Sequence, residues 1–178
     1  PPHVESKEAQ YVFGALGSWK SSIWASYAEM YRQTRTPGIF RVISTEPERA
    51  YVANEAYPTW RENVVITEVD DWNTLLIAGE AIKADHSSDD WLVLDTIGYV
   101  HDWTRDEWFV QNWDMDWLDV RAKGNIQKTM QEVGQHNWTR INTIYSRWLR
   151  DLCFSFKGHR FAVAQSKDFT DWDKPDGF

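Results

Sequence analysis

Five short apolar runs, separated by helical and turn patterns, constrain this chain more than any single motif. They are "YVFG" (11–14), "IFRVIST" (39–45), "NVVITEV" (63–69), "WLVLD" (91–95) and "HRFAVAQ" (159–165). "WLVLD" is apolar up to its final acid, the pattern of a strand covered on both faces. Between the first two runs, Ile23, Tyr27, Met30 and Tyr31 fall at helical spacing, which predicts a helix over Lys20–Arg32 with those residues inward. Pro37-Gly38 ends it. Residues 47–57 predict a short helix with Pro47 in its first turn. Asp70 or Asp71 is placed to cap a helix through about Ala84, with Leu75, Leu76, Ala78, Gly79 and Ile82 inward. "HSSDD" (86–90) reads as a loop, and residues 103–122 and 137–152 as further helices. Alternating strands and helices predict an α/β fold, a three-layer sandwich with a mostly parallel central sheet. A length of 178 residues suits a single domain, with a core at about 10–167 and an aromatic, helical insert at about 99–157.

Composition excludes some function classes. Apolar residues make up 42% and charged residues 26%, as in an ordinary globular protein. No apolar run reaches the length of a membrane span. The start, "PPHVESKEAQ", lacks the basic-then-apolar order of a signal peptide, so a cytoplasmic location is expected. Cys153, as a lone cysteine, allows neither an internal disulfide nor a Cys-based zinc site. Asn137-Trp138-Thr139 matches a glycosylation sequon, with nothing else pointing to secretion. The net charge of −8 argues against a broad basic surface for duplex DNA but leaves room for a local basic groove. The 12 Trp residues call either for an aromatic core or for stacking surfaces.

In parallel sheets, ligands sit beyond the C-terminal ends of the strands, so the residues that follow each run matter most. After the first comes Gly14-Ala15-Leu16-Gly17-Ser18-Trp19-Lys20-Ser21. The phosphate-loop pattern G-x-x-x-x-G-K-[ST] is met except at its second Gly, where Trp19 stands. Such a loop turns backbone N–H groups toward anionic oxygens, and the helix N-terminus behind it adds positive partial charge. Gly14 through Ser22, with Ala15, Leu16, Gly17 and Ser18 in the turn, form the expected nucleotide-binding segment. Lys20 is expected on the terminal phosphates and the Ser21 hydroxyl on Mg²⁺. The fourth run ends in Asp95, placed to complete the metal site. Glu46, after the second run, is placed either to orient and deprotonate a water or simply to favour the start of the next helix. Gln165, at the end of the fifth run, is either a γ-phosphate sensor or a satisfied polar strand end.

Taken in order, these features resemble the RecA-like P-loop ATPase core: phosphate loop, a strand closing on Thr45-Glu46, a third strand, a strand closing on Asp95-Thr96, and a last strand closing on Gln165. The resemblance spans roughly residues 10–167 and is closer to phage-encoded RecA-type, Sak-like ATPases. Those carry segments similar to "VLDTI", "HDWTRDEWFVQ", "NWTRINTIYSRWLRDL" and "GHRFAVAQSK". It implies ATP and Mg²⁺ as cofactors, Glu46 and Lys20 as catalytic groups, Gln165 as sensor, and action on DNA in recombination or replication. It further implies a homo-oligomer, single-stranded DNA as partner and, for a phage protein, the host cytoplasm.

Trp19 departs from the family's loop. It keeps open a second reading, a non-enzymatic scaffold or assembly subunit, and a third, a nucleotide kinase. Residues 102–119 are acidic, so their aromatics read as a packing or protein-contact face. Arg140, Arg147 and Arg150 share one helical side near Trp138 and are the candidates for DNA contact, with Arg147 alternatively paired to Asp151. Lys167 is a further candidate cation for a neighbouring subunit's site.

Overall fold

A computed structural model describes residues 7–14, 20–45, 57, 59–113 and 126–165, with the side chains of 126–133, 135 and 165 excepted. The elements run β1 (Ala9–Gly14), α1 (Lys20–Thr34), β2 (Phe40–Ser44), a 3-10 turn (Trp60–Asn63), β3 (Val64–Glu68), α2 (Trp72–Ala84), β4 (Trp91–Asp95), α3 (Gly98–Trp113), α4 (Ile126–Ser155) and β5 (His159–Gln165). The five strands form one sheet in the order β1-β5-β4-β2-β3, and every pairing is parallel. Ala15–Trp19, Glu46, Lys167 and most of the helix expected at 47–57 lie outside the described residues.

Successive residues of a strand face opposite sides, so β4 serves two cores at once. Trp91 and Val93 join Phe40, Val42, Phe161 and Val163 beneath α1 and the 3-10 turn. Leu92 and Leu94 join Ile43 beneath α2, α3 and α4 through Leu75, Ala78, Ile82, Val100 and Leu152. Helix, sheet and helix therefore make three layers. A third cluster, Trp108, Phe109 and Ile141, ties α3 to α4, with Trp113 and Trp138 against it.

α1 differs from expectation in the face it buries. Trp24, Ala25, Ala28 and Glu29 are buried, whereas Ile23 is 38% and Met30 48% exposed. The small Ala25 and Ala28 let the backbone come close to the sheet, and Trp24 fills the space beside them. Tyr27 and Tyr31 stay half-buried against Trp91. In α2, Leu75, Ala78, Gly79 and Ile82 face inward as expected, but Leu76 is 37% exposed. Asp71, not Asp70, is the cap: it accepts from the Thr74 amide while the Thr74 hydroxyl accepts from the Asp71 amide. α3 begins before the expected 103, burying Val100. α4 begins before the expected 137 and leaves helical geometry at Gly134, whose φ of 67° favours glycine.

Asp90 closes the N-terminal edge of the sheet. The segment "HSSDD" is a loop, but this last residue is buried. Its Oδ1 accepts from the Ile39 amide at 2.9 Å, and its Oδ2 accepts from Arg41 Nε at 2.7 Å and the Ser87 amide at 3.0 Å. Its carbonyl accepts from the His159 amide at 2.8 Å.

Candidate functional site

The strand order brings the ends of four strands to one edge. Gly14 ends β1 opposite Gln165, which ends β5. Asp95 ends β4, opposite Val163 on one side and Ser44 on the other. Since β5 lies between β1 and β4, the loop-bearing strand and the Asp95 strand are two spacings apart, roughly 10 Å.

α1 follows β1 in the chain. Lys20 is its first residue and is buried, while Ser21 and Ser22 follow half-buried in a first turn that holds no acid. Lys20 and Trp24 stand one turn apart on the stripe that faces the sheet. Trp24 Nε1 donates to Asp95 Oδ2 at 2.8 Å in a buried bond. The inner stripe of α1 and the Asp95 carboxylate therefore lie on one face of the sheet.

The turn after Asp95 is held by Thr45. The Thr45 amide donates to the Asp95 carbonyl at 2.8 Å. Its hydroxyl donates to the Thr96 carbonyl at 3.0 Å and accepts from the Thr96 amide at 3.1 Å. The Ile97 amide then donates to the Val163 carbonyl at 2.9 Å, tying this turn to β5 as well. The Asp95–Thr96 peptide is cis. Thr45 thus extends the β2–β4 ladder by one residue.

Trp24 and Thr45 had no assigned role in the sequence reading, although Trp24 lies four residues beyond Lys20, the spacing that shares a helix face. An inner face made of Ile23, Tyr27, Met30 and Tyr31 gives Trp24 no place against the sheet.

Other sequence features resolve into structure. Trp24, Trp60, Trp91 and Trp108 are buried, and Trp72, Trp103, Trp113, Trp138 and Trp148 pack partly buried against the clusters. Trp103, Trp108, Phe109 and Trp113 of α3 accordingly pack, and Arg105 is buried between Asp102 and Asp106. Arg140, Arg147 and Arg150 are exposed on α4. Asp151 pairs with Lys83 at 2.7 Å rather than with Arg147. Burial pushes the Cys153 thiol up, so it stays protonated near neutral pH and is no ready nucleophile. A cavity of about 260 Å³ opens on the opposite face of the sheet, lined by Tyr11, Leu92, Leu94, Leu149 and Cys153 among others. Its one charged lining residue, Arg160, donates to the Cys153 and Phe156 carbonyls at the end of α4.

Among the described residues no helix is long and apolar enough to cross a membrane, and no group of three His, Cys, Asp or Glu residues is placed to hold a metal ion. No protein-family model matches the chain, and no curated protein matches it in sequence.

Proposed function

We propose that this chain is a RecA-like P-loop ATPase that binds ATP with Mg²⁺ and acts on DNA in the cytoplasm, in phage-type recombination or replication. The observation that carries this reading is the shared edge. Gly14, Gln165, Asp95 and Ser44 end adjacent strands, with buried Lys20 on the helix that follows β1. Asp95 and Ser21 offer hard oxygen donors of the kind Mg²⁺ takes together with phosphate oxygens. A single carboxylate suits a cation that arrives with its nucleotide. When bound, Mg²⁺ neutralises charge on the phosphoryl oxygens.

Lys20 binds the β- and γ-phosphates, and Glu46, two residues beyond β2, orients a water and accepts its proton as the γ-phosphate is attacked. Gln165 reads the γ-phosphate from the strand between the loop strand and the Asp95 strand. The exposed Arg140, Arg147 and Arg150 are the proposed contacts for single-stranded DNA, bound by an oligomer.

The test is Mg²⁺-dependent ATP binding and hydrolysis by the purified chain, with and without single-stranded DNA. Lys20→Ala removes ATP binding; Glu46→Gln keeps binding and stops turnover. Normal hydrolysis by Glu46→Gln overturns the role of Glu46, and absence of Mg²⁺-dependent ATP binding by the native chain overturns the reading. Trp19 favours the second reading, a scaffold that retains the fold. Binding without hydrolysis, unchanged by Trp19→Gly, supports it.

A further inference from the structure

We infer that Trp24 is a positioning residue for the Mg²⁺-binding carboxylate, its indole N–H holding Asp95 in the orientation that meets the cation. The inference rests on the ATPase reading above.

Three observations combine. The bond from Trp24 Nε1 to Asp95 Oδ2 is 2.8 Å and buried, and Trp24 itself is 1% exposed. The ring is fixed: it packs edge-on to Trp60, with centroids 5.4 Å apart at 74°, inside the cluster that contains Val93 and Val163. A large ring in a close-packed core has little rotamer freedom, so its N–H points in one direction. Finally, Trp24 belongs to the same helix face as Lys20, one turn on. One rigid helix therefore sets both the phosphate-binding ammonium and the carboxylate.

The chemistry favours an indole here. Indole is a donor only and carries no charge. It aligns a carboxylate without neutralising it, whereas a Lys or Arg at the same distance would offset the charge that attracts the cation. Groups that orient a metal ligand through a hydrogen bond are commonly worth 10–100-fold in metal affinity. A bond that merely satisfied a buried indole N–H would have no such effect on the cation.

The experiment compares nucleotide affinity with Mn²⁺ and with chelator, by calorimetry, in native protein, Trp24→Phe and Trp60→Phe. Trp24→Phe keeps an aromatic ring but loses the donor; it is expected to weaken Mn²⁺–ATP binding about 10–100-fold and leave metal-free ATP binding unchanged. Trp60→Phe disturbs the packing around Trp24 but spares the bond, so the Mn²⁺ dependence persists. Native-like Mn²⁺–ATP affinity in folded Trp24→Phe, or a gain, overturns the inference while leaving the ATPase reading intact. Absence of cation-dependent nucleotide binding in the native chain overturns both. Should Trp24→Phe fail to fold, native protein labelled with ¹⁵N-indole supplies the answer. Mn²⁺–ATP is expected to broaden the assigned Trp24 indole resonance beyond that of every other Trp in the buried clusters, and an unaffected Trp24 resonance overturns the inference.

Discussion

Replacing Asp90 by Ala strips three donors of one buried acceptor. The Asp90 side chain is 3% exposed and its partner Arg41 15% exposed. The substitution leaves the Ile39 and Ser87 amides and the Arg41 Nε without their carboxylate. Arg41 keeps Asp85 at 3.6 Å, but that side chain is 89% exposed and contributes little. Removing one partner of a buried ion pair costs about 3–5 kcal/mol, and unsatisfied amides cost about 1–3 kcal/mol each where water cannot reach them. With some of the amides rehydrated, the expected loss is about 4 kcal/mol, a large share of the 5–15 kcal/mol typical of a domain. Urea unfolding should show a lower midpoint at unchanged slope. A loss below about 1 kcal/mol would refute the idea that this carboxylate holds the sheet's N-terminal edge together.

Acid supplies an independent arm of the same test. Burial pushes the Asp90 carboxyl up, but the hydrogen bond from Arg41 and the Ser87 and Ile39 amides outweigh it and hold the group below its ordinary 3.8. Its folded pKa is thus depressed, so its stabilisation is present above the unfolded value and disappears as pH falls through the folded one. Native protein should lose stability below about pH 4 by an increment that Asp90→Ala lacks. Because Asp90 precedes β4 and Asp95 ends it, folded Asp90→Ala should bind nucleotide as native protein does.

Two further outcomes follow from local geometry. Asp71→Ala removes the α2 cap and should cost about 1 kcal/mol by thermal or urea unfolding, with the rest of the fold retained. Thr45→Val removes the hydroxyl's bonds to Thr96 and should cost about 1–3 kcal/mol. Under the ATPase reading it should also slow hydrolysis more than it weakens ATP binding, because Glu46 is the next residue; equal effects on both would place Thr45 in the scaffold only.

The layered α/β architecture was legible because strands covered on both faces leave an unmistakable pattern, and β4 and β5 begin and end where the apolar runs do. The inner face of α1 was not. Helical periodicity there is carried by Ala25 and Ala28, whose small side chains matter for how closely the backbone approaches, not for bulk hydrophobicity. Gly14, Asp95 and Gln165 could be placed because each ends a strand. The bond of Trp24 to Asp95 and those of Asp90 to Ile39 and Arg41 could not be assigned, because each spans at least 49 residues. Strand order, which makes neighbours of β4 and β5 and places β5 beside β1, is set by long connections that local patterns do not encode.

β1 and β4 make unequal foundations for a shared site. β4 is bonded on both sides by β2 and β5, whereas β1, among the described residues, is bonded only by β5 and leaves Tyr11 and Phe13 exposed. Opening free energies fall toward such margins of a fold. The Asp95 end therefore behaves as a fixed post, and the Gly14 end as a hinged one. A ligand gripped between them would draw its compliance almost wholly from the strand that carries the loop.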